Sequence, residues 1–251
     1  MKLHTLLWLI CCSICLTTAC KKEISQSANV PTAEQEASSV ANDFGIDPSL
    51  FVTGIDNPYF PLLPGTVFHY INFTHDDGVL STENNIVTVT CDIKKILGVN
   101  CEVVYDVVKE EGEITEYTYD WYAQDKLGNV WYFGEDTKEL TDSGWSAQGS
   151  WEAGVNGAKP GIIMFGKPGL FVGHTYYQEF LPGVAEDQAT ILNVNSTVTV
   201  PFGQFNNCVE TKEFTKLEPE DVEYKYYAKG IGQVLGRSEN ERDELISVTH
   251  P

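Results

Sequence analysis

The sequence predicts an all-β protein built as an antiparallel sheet. From Thr66 onward, runs of β-branched and aromatic residues alternate with polar residues, as in residues 86–96 and 117–123. Gly, Asn and Asp turns such as Leu97-Gly98 separate these runs, and no segment shows a sustained helical period. Because such a sheet buries one of its faces, we expect a sandwich, a barrel or an open half-barrel.

The first 19 residues have the features of a bacterial secretion signal. Residues 6–16 are an apolar run of eleven residues, which is too short for a stable transmembrane helix, and small residues then lead to Cys20. This order resembles a lipoprotein signal in which Cys20 is acylated, although Thr17 stands where Leu is usual. A plain signal peptide or a short buried helix is the alternative. Lys21 follows the cysteine, which favours the outer membrane if the host is Gram-negative.

We expect three regions in the chain: a signal peptide at 1–19, a flexible tether at 20–43 and a single β domain at 44–251. The tether is rich in Ser, Ala, Gln and Glu and shows no apolar periodicity, so it buries too little surface to fold. Within the domain, residues 140–170 interrupt the alternation. Seven glycines lie between 144 and 169, which predicts a connecting loop.

The net charge limits the classes of partner. The chain has 16 Lys and Arg against 36 Asp and Glu, and removal of residues 1–19 takes away one further basic residue, leaving a net charge of about −21. A surface this acidic repels phosphate groups, so we expect no nucleic acid partner. The expected partners are the membrane, through the N-terminal lipid, and an apolar or sugar ligand. We expect no cofactor.

Two parts of the domain, residues 64–133 and 172–235, match in five blocks that occur in the same order. In one block, residues 117–123 (Y-T-Y-D-W-Y-A) match residues 222–228 (V-E-Y-K-Y-Y-A) without a gap. In another block, Cys101 falls on Cys208. We interpret the match as an internal duplication of a meander unit. The alternative is that any two β-meanders share alternation and turn glycines.

The matched strands each carry an aromatic stripe on one face, because successive side chains of a strand point to opposite sides. We expect both stripes to line a shared interior, with the opposite face, which carries Asp120, in contact with solvent. Two tryptophans of the connecting loop are further candidates, either as lids over a sheet face or as exposed rings that stack on a sugar. The candidate ligand-binding residues are Tyr117, Tyr119, Trp121, Tyr224, Tyr226, Trp145 and Trp151.

The sequence assigns no catalytic residue and no metal site. No G-x-S-x-G elbow is present, and the histidines of the mature chain, His69, His75, His174 and His250, lack the spacing of zinc ligands. The acidic pairs Asp76-Asp77, Glu135-Asp136 and Glu186-Asp187 lack the spacing of a calcium loop.

Three cysteines, Cys91, Cys101 and Cys208, remain in the mature domain beside the lipid site. An odd number allows at most one bridge within the chain. A cysteine in a strand is equally suited to be a small buried apolar residue. The sequence therefore leaves both a disulfide and free thiols open.

Several motifs resemble an uncharacterised family of bacterial secreted proteins and lipoproteins. They are D-N-P-Y-F-P-L-L-P-G-T at 56–66, D-W-Y-A-Q-D-K-L-G-N-V-W-Y-F-G-E-D at 120–136, G-S-W-E-A-G at 149–154 and P-G-I-I-M at 160–164. The resemblance covers residues 50–240 and implies no catalytic residues, because that family has no established activity. More loosely, a curved all-β plan with a lipid anchor is similar to lipoprotein carriers of the LolA/LolB type.

These observations favour an envelope-anchored lipoprotein without enzymatic activity that binds or carries an apolar or amphipathic ligand, or an envelope partner. The alternative is a hydrolase of envelope or extracellular glycans, with carboxylates near residues 144–169. A third possibility is a structural or adhesive module with a filled core. A carrier should show a cavity lined by the aromatic stripes without convergent ionisable groups, whereas an enzyme should show paired carboxylates in a cleft.

Overall fold

The computed structural model describes residues 45–76 and 79–251 and consists mainly of strands. The predicted signal peptide, Cys20, the predicted tether and Asp77 lie outside the described residues. The first eight strands are β1 (Val67–Asp76), β2 (Val79–Ile96), β3 (Val99–Glu110), β4 (Glu113–Gln124), β5 (Val130–Thr141), β6 (Gly144–Ser146), β7 (Trp151–Glu152) and β8 (Lys159–Met164). The others are β9 (Thr175–Tyr177), β10 (Glu179–Phe180), β11 (Gln188–Val200), β12 (Gly203–Phe214), β13 (Val222–Ala228), β14 (Gly232–Arg237) and β15 (Glu241–Thr249).

All of these strands belong to one antiparallel sheet. Its order is β10-β8-β5-β4-β3-β2-β1-β15-β14-β13-β12-β11-β9, and β6 and β7 both pair with β5. The prediction of an all-β antiparallel fold is therefore confirmed. Short 3₁₀ turns at Pro48–Leu50 and Pro168–Phe171 are the helical elements of the described residues, and neither could span a membrane.

The two ends of the sheet meet at residues 175–180. Strand β9 pairs with β11 on one side, and β10, which follows after Gln178, pairs with β8 on the other. At this seam Gly161 of β8 approaches the backbone so closely that a Cβ atom there would lie 2.4 Å from the carbonyl oxygen of Gln178. Only glycine fits at such an approach. Because the two ends of the sheet meet here, the sheet forms a nearly closed barrel.

Two meanders of the same strand order face each other in this barrel. The first runs through β1 to β5, and the second runs through β9 and β11 to β14. Glu102 lies opposite Tyr122 between β3 and β4, and Val209 lies opposite Tyr227 between β12 and β13. The two matched segments thus share strand order and register, as a duplication requires, while their common origin stays a prediction.

Cys101 and Cys208 each lie one residue before these paired positions. Both are fully buried free thiols. They therefore form no disulfide with each other or with Cys91, and they serve as small apolar core residues.

The connecting segment at 140–170 differs from the predicted loop, because it contains β6, β7 and β8. Each of these short strands pairs with β5. Strands of two to six residues carry too little alternation to be recognised from the sequence, and here they form because β5 offers them a partner.

The apolar residues form two clusters. One lies inside the barrel and includes Val89, Val104 and Ile191. The other packs Trp121 and Phe133, with residues of the connecting segment, beneath Ile46. The barrel wall at β4 and β5 is therefore covered on both faces.

Candidate functional site

A cavity of about 330 Å³ occupies the interior of the barrel. Its apolar lining includes Phe60, Leu62, Phe68, Val104, Ile163 and Ile231. Its polar lining includes seven carboxyl groups, those of Asp106, Asp120, Glu135, Glu179, Asp187, Glu213 and Asp243. Lys225 is the one basic side chain among the described residues that line it.

The cavity is lined by the opposite strand faces from those that the sequence predicted. On β4 the lining residues are Asp120 and Tyr122, and on β13 they are Lys225 and Tyr227. Because side chains alternate along a strand, the predicted aromatic stripes lie on the other side of the sheet. The expectation that the stripes line the cavity and that Asp120 faces solvent is therefore wrong. Asp120 is only 9% exposed.

Three of the predicted ligand-binding residues lie on the outer surface of the first meander. Tyr119 stacks on Tyr105 with 4.5 Å between ring centroids, and Tyr117 contacts Trp145 at 5.4 Å. Trp145 is 51% exposed. These rings form an outer aromatic patch that is separated from the cavity by the sheet.

Trp121 and Trp151 are both core residues of the outer cluster. Trp121 is 6% exposed, and the ammonium group of Lys94 lies 3.1 Å from its ring centroid. Lys94 in turn pairs with Glu152 at 2.7 Å, which ties the connecting segment to the sheet. Trp151 is buried with its ring edge against Tyr132, 5.4 Å between centroids, directly behind the cavity lining.

Tyr224 and Tyr226 contact Arg237 on the face of β13 that points away from the cavity. The guanidinium carbon lies 5.1 Å and 5.6 Å from the two ring centroids. The hydroxyl of Tyr226 accepts hydrogen bonds from Arg237 and donates one to Glu210 at 2.9 Å. The seven candidate residues are thus spread over three separate regions, and ligand binding by them stays a prediction.

The side of the cavity formed by β3, β4 and β5 carries carboxyl groups without a cation, and we call it the N-terminal wall (Asp106, Asp120, Tyr122, Tyr132 and Glu135). The hydroxyl of Tyr132 lies 2.5 Å from Asp120 Oδ1 and 2.8 Å from Glu135 Oε2. A hydroxyl has one hydrogen to donate. When it donates to Asp120, its contact with Glu135 is a hydrogen bond only if Glu135 is protonated and donates to the phenol oxygen.

Burial keeps several carboxyl groups of the cavity lining, in the N-terminal wall and outside it, protonated at unusually high pH. It raises the pKa of Asp106, of Glu135 and of Asp243 to about 7. The pKa of Asp120 is raised well above its ordinary value, first by burial and then by the nearby charge of Glu135. Burial, with the charge of Asp187, raises the pKa of Glu179 to about 8. The charge of the cavity therefore changes around neutral pH.

The side formed by β12 and β13 is electrostatically compensated, and we call it the C-terminal wall (Glu213, Lys225 and Tyr227). Lys225 Nζ lies 3.0 Å from Glu213 Oε2 and 3.1 Å from Glu223 Oε2. Burial lowers the pKa of Lys225, but these two carboxylates more than reverse that effect, so its pKa is raised overall. Tyr227 and Thr211 both donate to Glu213 Oε1, at 3.1 Å and 2.8 Å.

Phe60 links the two walls. Its ring contacts Tyr122 at 5.3 Å and Tyr227 at 6.3 Å between centroids. The segment that carries Phe60 is held by Asn57, which is almost fully buried and whose side-chain amide donates to the carbonyl oxygens of Gly128 and Phe165 at 2.7 Å and 3.2 Å. The D-N-P-Y-F-P motif therefore positions part of the cavity lining.

The Asp125 turn fixes the start of β5. Its Oδ1 accepts hydrogen bonds from the backbone N–H groups of Leu127 and Asn129, and its Oδ2 accepts from the side chains of Asn129 and Trp131. Gly128 adopts the left-handed conformation, with φ +84°. These contacts explain the D-K-L-G-N-V-W part of the second motif, which sets the register that brings Tyr132 and Glu135 into the cavity.

Several polar groups of the cavity lining have no hydrogen-bond partner among the described residues. The Gln178 side chain, at the seam, also lines the cavity and is 5% exposed. One oxygen each of Asn85, Asp106 and Asp243 is buried and unpaired. Buried polar atoms are normally hydrogen-bonded, so these groups are suited to contact water or a ligand in the cavity.

The carboxyl groups do not form a metal site. In the described part of the chain, no three His, Cys, Asp or Glu side chains are grouped in a way that could hold a metal ion. The cavity residues were not predicted from the sequence, because charged positions of a strand usually face solvent. A usable signal was present in the matched blocks, where Asp120 and Lys225 occupy the same position between aromatic residues. Asp106 and Glu213 also match each other, each five residues after the matched cysteine.

Two solved structures are similar to this chain. One is a "putative exported protein with YmcC-like fold" from Bacteroides fragilis NCTC 9343, with 15% identity, coverage of 76% of this chain and 99% of that chain, and a TM-score of 0.38. The other is a "putative lipoprotein" from Parabacteroides distasonis ATCC 8503, with 10% identity, coverage of 77% and 99%, and a TM-score of 0.40. No family model and no curated protein matches. Likenesses at this level carry no argument about function, so the family resemblance of the motifs stays a prediction.

Proposed function

We propose that this chain is an envelope lipoprotein that binds or carries a small amphipathic ligand in its interior cavity, without catalysing a reaction. The observation that supports this proposal is the cavity itself, whose lining combines apolar residues such as Phe68 and Ile163 with many polar ones. Its volume of about 330 Å³ lies at the lower end of the range for ligand pockets. A small ligand therefore fits better than a polymer.

The cavity contains the paired carboxyl groups expected of an enzyme, and the aromatic stripes expected of a carrier do not line it. Binding is nevertheless favoured over catalysis, because the protein itself engages these carboxyl groups. Glycoside hydrolysis needs one protonated carboxylic acid and one ionised carboxylate. Burial raises the pKa of both Asp120 and Glu135, and both contact the same tyrosine hydroxyl. In the free protein, both carboxyl groups are therefore engaged by a side chain of the protein itself.

The decisive experiment for ligand binding fills the cavity. Native mass spectrometry of protein purified from its own envelope should show a bound small molecule, and Val87→Phe, which adds volume at the cavity lining, should remove it. Ile86→Phe is the matched control, because Ile86 is the neighbouring residue of β2 and does not line the cavity. A bound molecule retained by Val87→Phe, or lost equally from both variants, would contradict binding in this cavity.

The proposed lipid anchor is tested separately. If Cys20 carries the lipid, Cys20→Ser should move the protein from the membrane fraction to the soluble fraction. Membrane retention of this variant would contradict the anchor. With Lys21 after the cysteine, the wild-type protein should fractionate with the outer membrane of a Gram-negative host, and recovery in the inner membrane would contradict that placement.

A hydrolase of envelope glycans is the second candidate, supported by the Asp120–Tyr132–Glu135 arrangement inside the cavity. If the chain is such an enzyme, incubation with purified envelope glycans should release new reducing ends. Asp120→Asn and Glu135→Gln should each abolish that release. An unchanged amount of reducing ends with the wild-type protein would exclude this candidate for the glycans tested.

A further inference from the structure

We infer that the ligand of this cavity is a small organic cation, an amine with an apolar or aromatic portion, whose positive group lies against the N-terminal wall. The inference rests on the proposed binding function and names the class of ligand. Three independent features of the cavity support it: its charge, its aromatic rings and its unpaired polar groups.

The first feature is the excess of carboxyl groups. Seven carboxyl groups line the cavity and Lys225 is the one basic side chain among the described lining residues. Lys225 is already engaged, because it pairs with Glu213 and Glu223. The carboxyl groups of the N-terminal wall therefore have no cation of the protein beside them, and a positively charged ligand would neutralise them.

The second feature is a group of aromatic rings beside those carboxyl groups. Tyr122 and Tyr132 are stacked with 4.8 Å between their centroids, and the Phe60 ring meets Tyr122 edge-on at 5.3 Å. All three rings line the cavity. Aromatic rings in a desolvated site attract ammonium groups through their negative faces. A neutral or anionic ligand would gain no cation–π attraction from this arrangement.

The third feature is the set of unsatisfied polar groups. The Gln178 side chain, which is 5% exposed, lines the cavity and is buried at the seam. An oxygen of Asp106 and one of Asp243 are buried without a partner. Carboxylate oxygens accept hydrogen bonds, and an amine ligand supplies the donors that these two oxygens lack.

The spacing of the acidic groups favours an organic cation over a metal ion. No three of the described acidic, histidine or cysteine side chains are arranged to hold a metal. The carboxyl groups instead line a volume of about 330 Å³ from several strands. This distribution suits a ligand that extends across the cavity, with its apolar portion toward Leu62, Phe68 and Ile231.

The experiment compares three probes of nearly equal size by isothermal titration calorimetry with the full lipidated chain in detergent: 2-phenylethylamine, 2-phenylethanol and 3-phenylpropionate. The amine should bind at least about tenfold more tightly than the alcohol, because cation–π attraction and carboxylate hydrogen bonds act on the charged group. The acid should bind more weakly than either. Glu135→Gln should reduce the preference for the amine.

Asp136→Asn is the matched control, because Asp136 follows Glu135 on β5 and points to the outer face, where it pairs with Lys138. It should leave the preference for the amine unchanged. Equal reduction by both variants would show that general surface charge, rather than the cavity, selects the amine.

Two results would overturn the inference while leaving the proposed function standing. One is binding of the alcohol or the acid as tightly as the amine. The other is no binding of the amine although native mass spectrometry shows a bound neutral or anionic molecule that Val87→Phe removes. The absence of any bound molecule together with no binding of the three probes would overturn the inference and the proposed function together.

Discussion

The two walls of the cavity occupy matching places in the two meanders but differ in charge. Asp120 and Lys225 hold the same position in the matched blocks. Asp120 lies opposite Val104 and Lys225 lies opposite Thr211, and these two partners also match each other. The C-terminal wall carries its own cation, which pairs with Glu213 and Glu223. The N-terminal wall has none. The two walls thus have similar backbones, but the charges of the C-terminal wall are paired with a cation of the protein, whereas the acidic groups of the N-terminal wall are not.

This difference suggests a division of roles. Removing one partner of a buried charge pair is strongly destabilising because it leaves the other charge uncompensated, whereas a buried acid without a cation lowers stability at the pH where it ionises. We therefore expect substitutions in the C-terminal wall to affect folding most, and substitutions in the N-terminal wall to affect ligand binding most.

The largest loss of stability should come from Trp121, which belongs to the outer core cluster behind the N-terminal wall. Trp121→Ala removes a buried side chain from the outer core cluster, together with the ring beneath Lys94. We expect a loss of about 3–5 kcal/mol in the free energy of unfolding. Chemical denaturation measures it. Trp145→Ala is the matched control: with Trp145 half exposed, it should change that free energy by less than about 1 kcal/mol. Equal losses would refute the assignment of Trp121 to the core.

A smaller change in stability should distinguish the two matched residues, Lys225 and Asp120. Lys225→Met leaves Glu213 and Glu223 without their cation, so we expect a loss of about 3 kcal/mol at neutral pH, the lower end for a broken buried pair, because Lys225 is 27% exposed. Asp120→Asn removes a buried acid that has no cation and should leave stability unchanged or raise it. If urea denaturation gives the same loss for both variants, the two walls do not differ as described.

The pH dependence of stability gives a still smaller effect. The pKa of Glu179 is raised from 4.5 to about 8 by burial and by the charge of Asp187. Its contribution to stability is therefore complete below about pH 4.5 and is lost as the pH rises to about 8. Over this interval, wild-type protein should lose stability relative to Glu179→Gln, which cannot ionise. Thermal melts at several pH values measure the difference, and a constant difference would contradict the buried state of Glu179.

The sequence was sufficient to predict the all-β class, because alternation and turn glycines persist through the long strands. It did not reveal which face of β4 is interior. Alternation divides Tyr117, Tyr119 and Trp121 from Asp120 and Tyr122, but it does not say which set faces inward when both faces of the sheet are covered. The outer cover comes from residues 140–170, whose short strands depend on pairing with β5.

The cavity itself depends on contacts between residues far apart in the chain. Phe60 reaches Tyr122 and Tyr227, and Gln178 lies where the two ends of the sheet meet. No local pattern predicts such approaches. The sequence did contain one usable sign, the charged residues at matched positions inside aromatic strands, but its meaning required knowledge of the interior face.

The central claim, that the N-terminal wall is an incomplete network completed by a cation, is tested most directly by proton release on binding. Calorimetric titration of 2-phenylethylamine near pH 6, in buffers of different ionisation enthalpy, measures this release. Because the pKa of Glu135 and of Asp106 is about 7 in the free protein, a bound cation should lower both and expel protons into solution. Glu135→Gln should reduce the number released. Binding without proton release, or with proton uptake, would contradict the account.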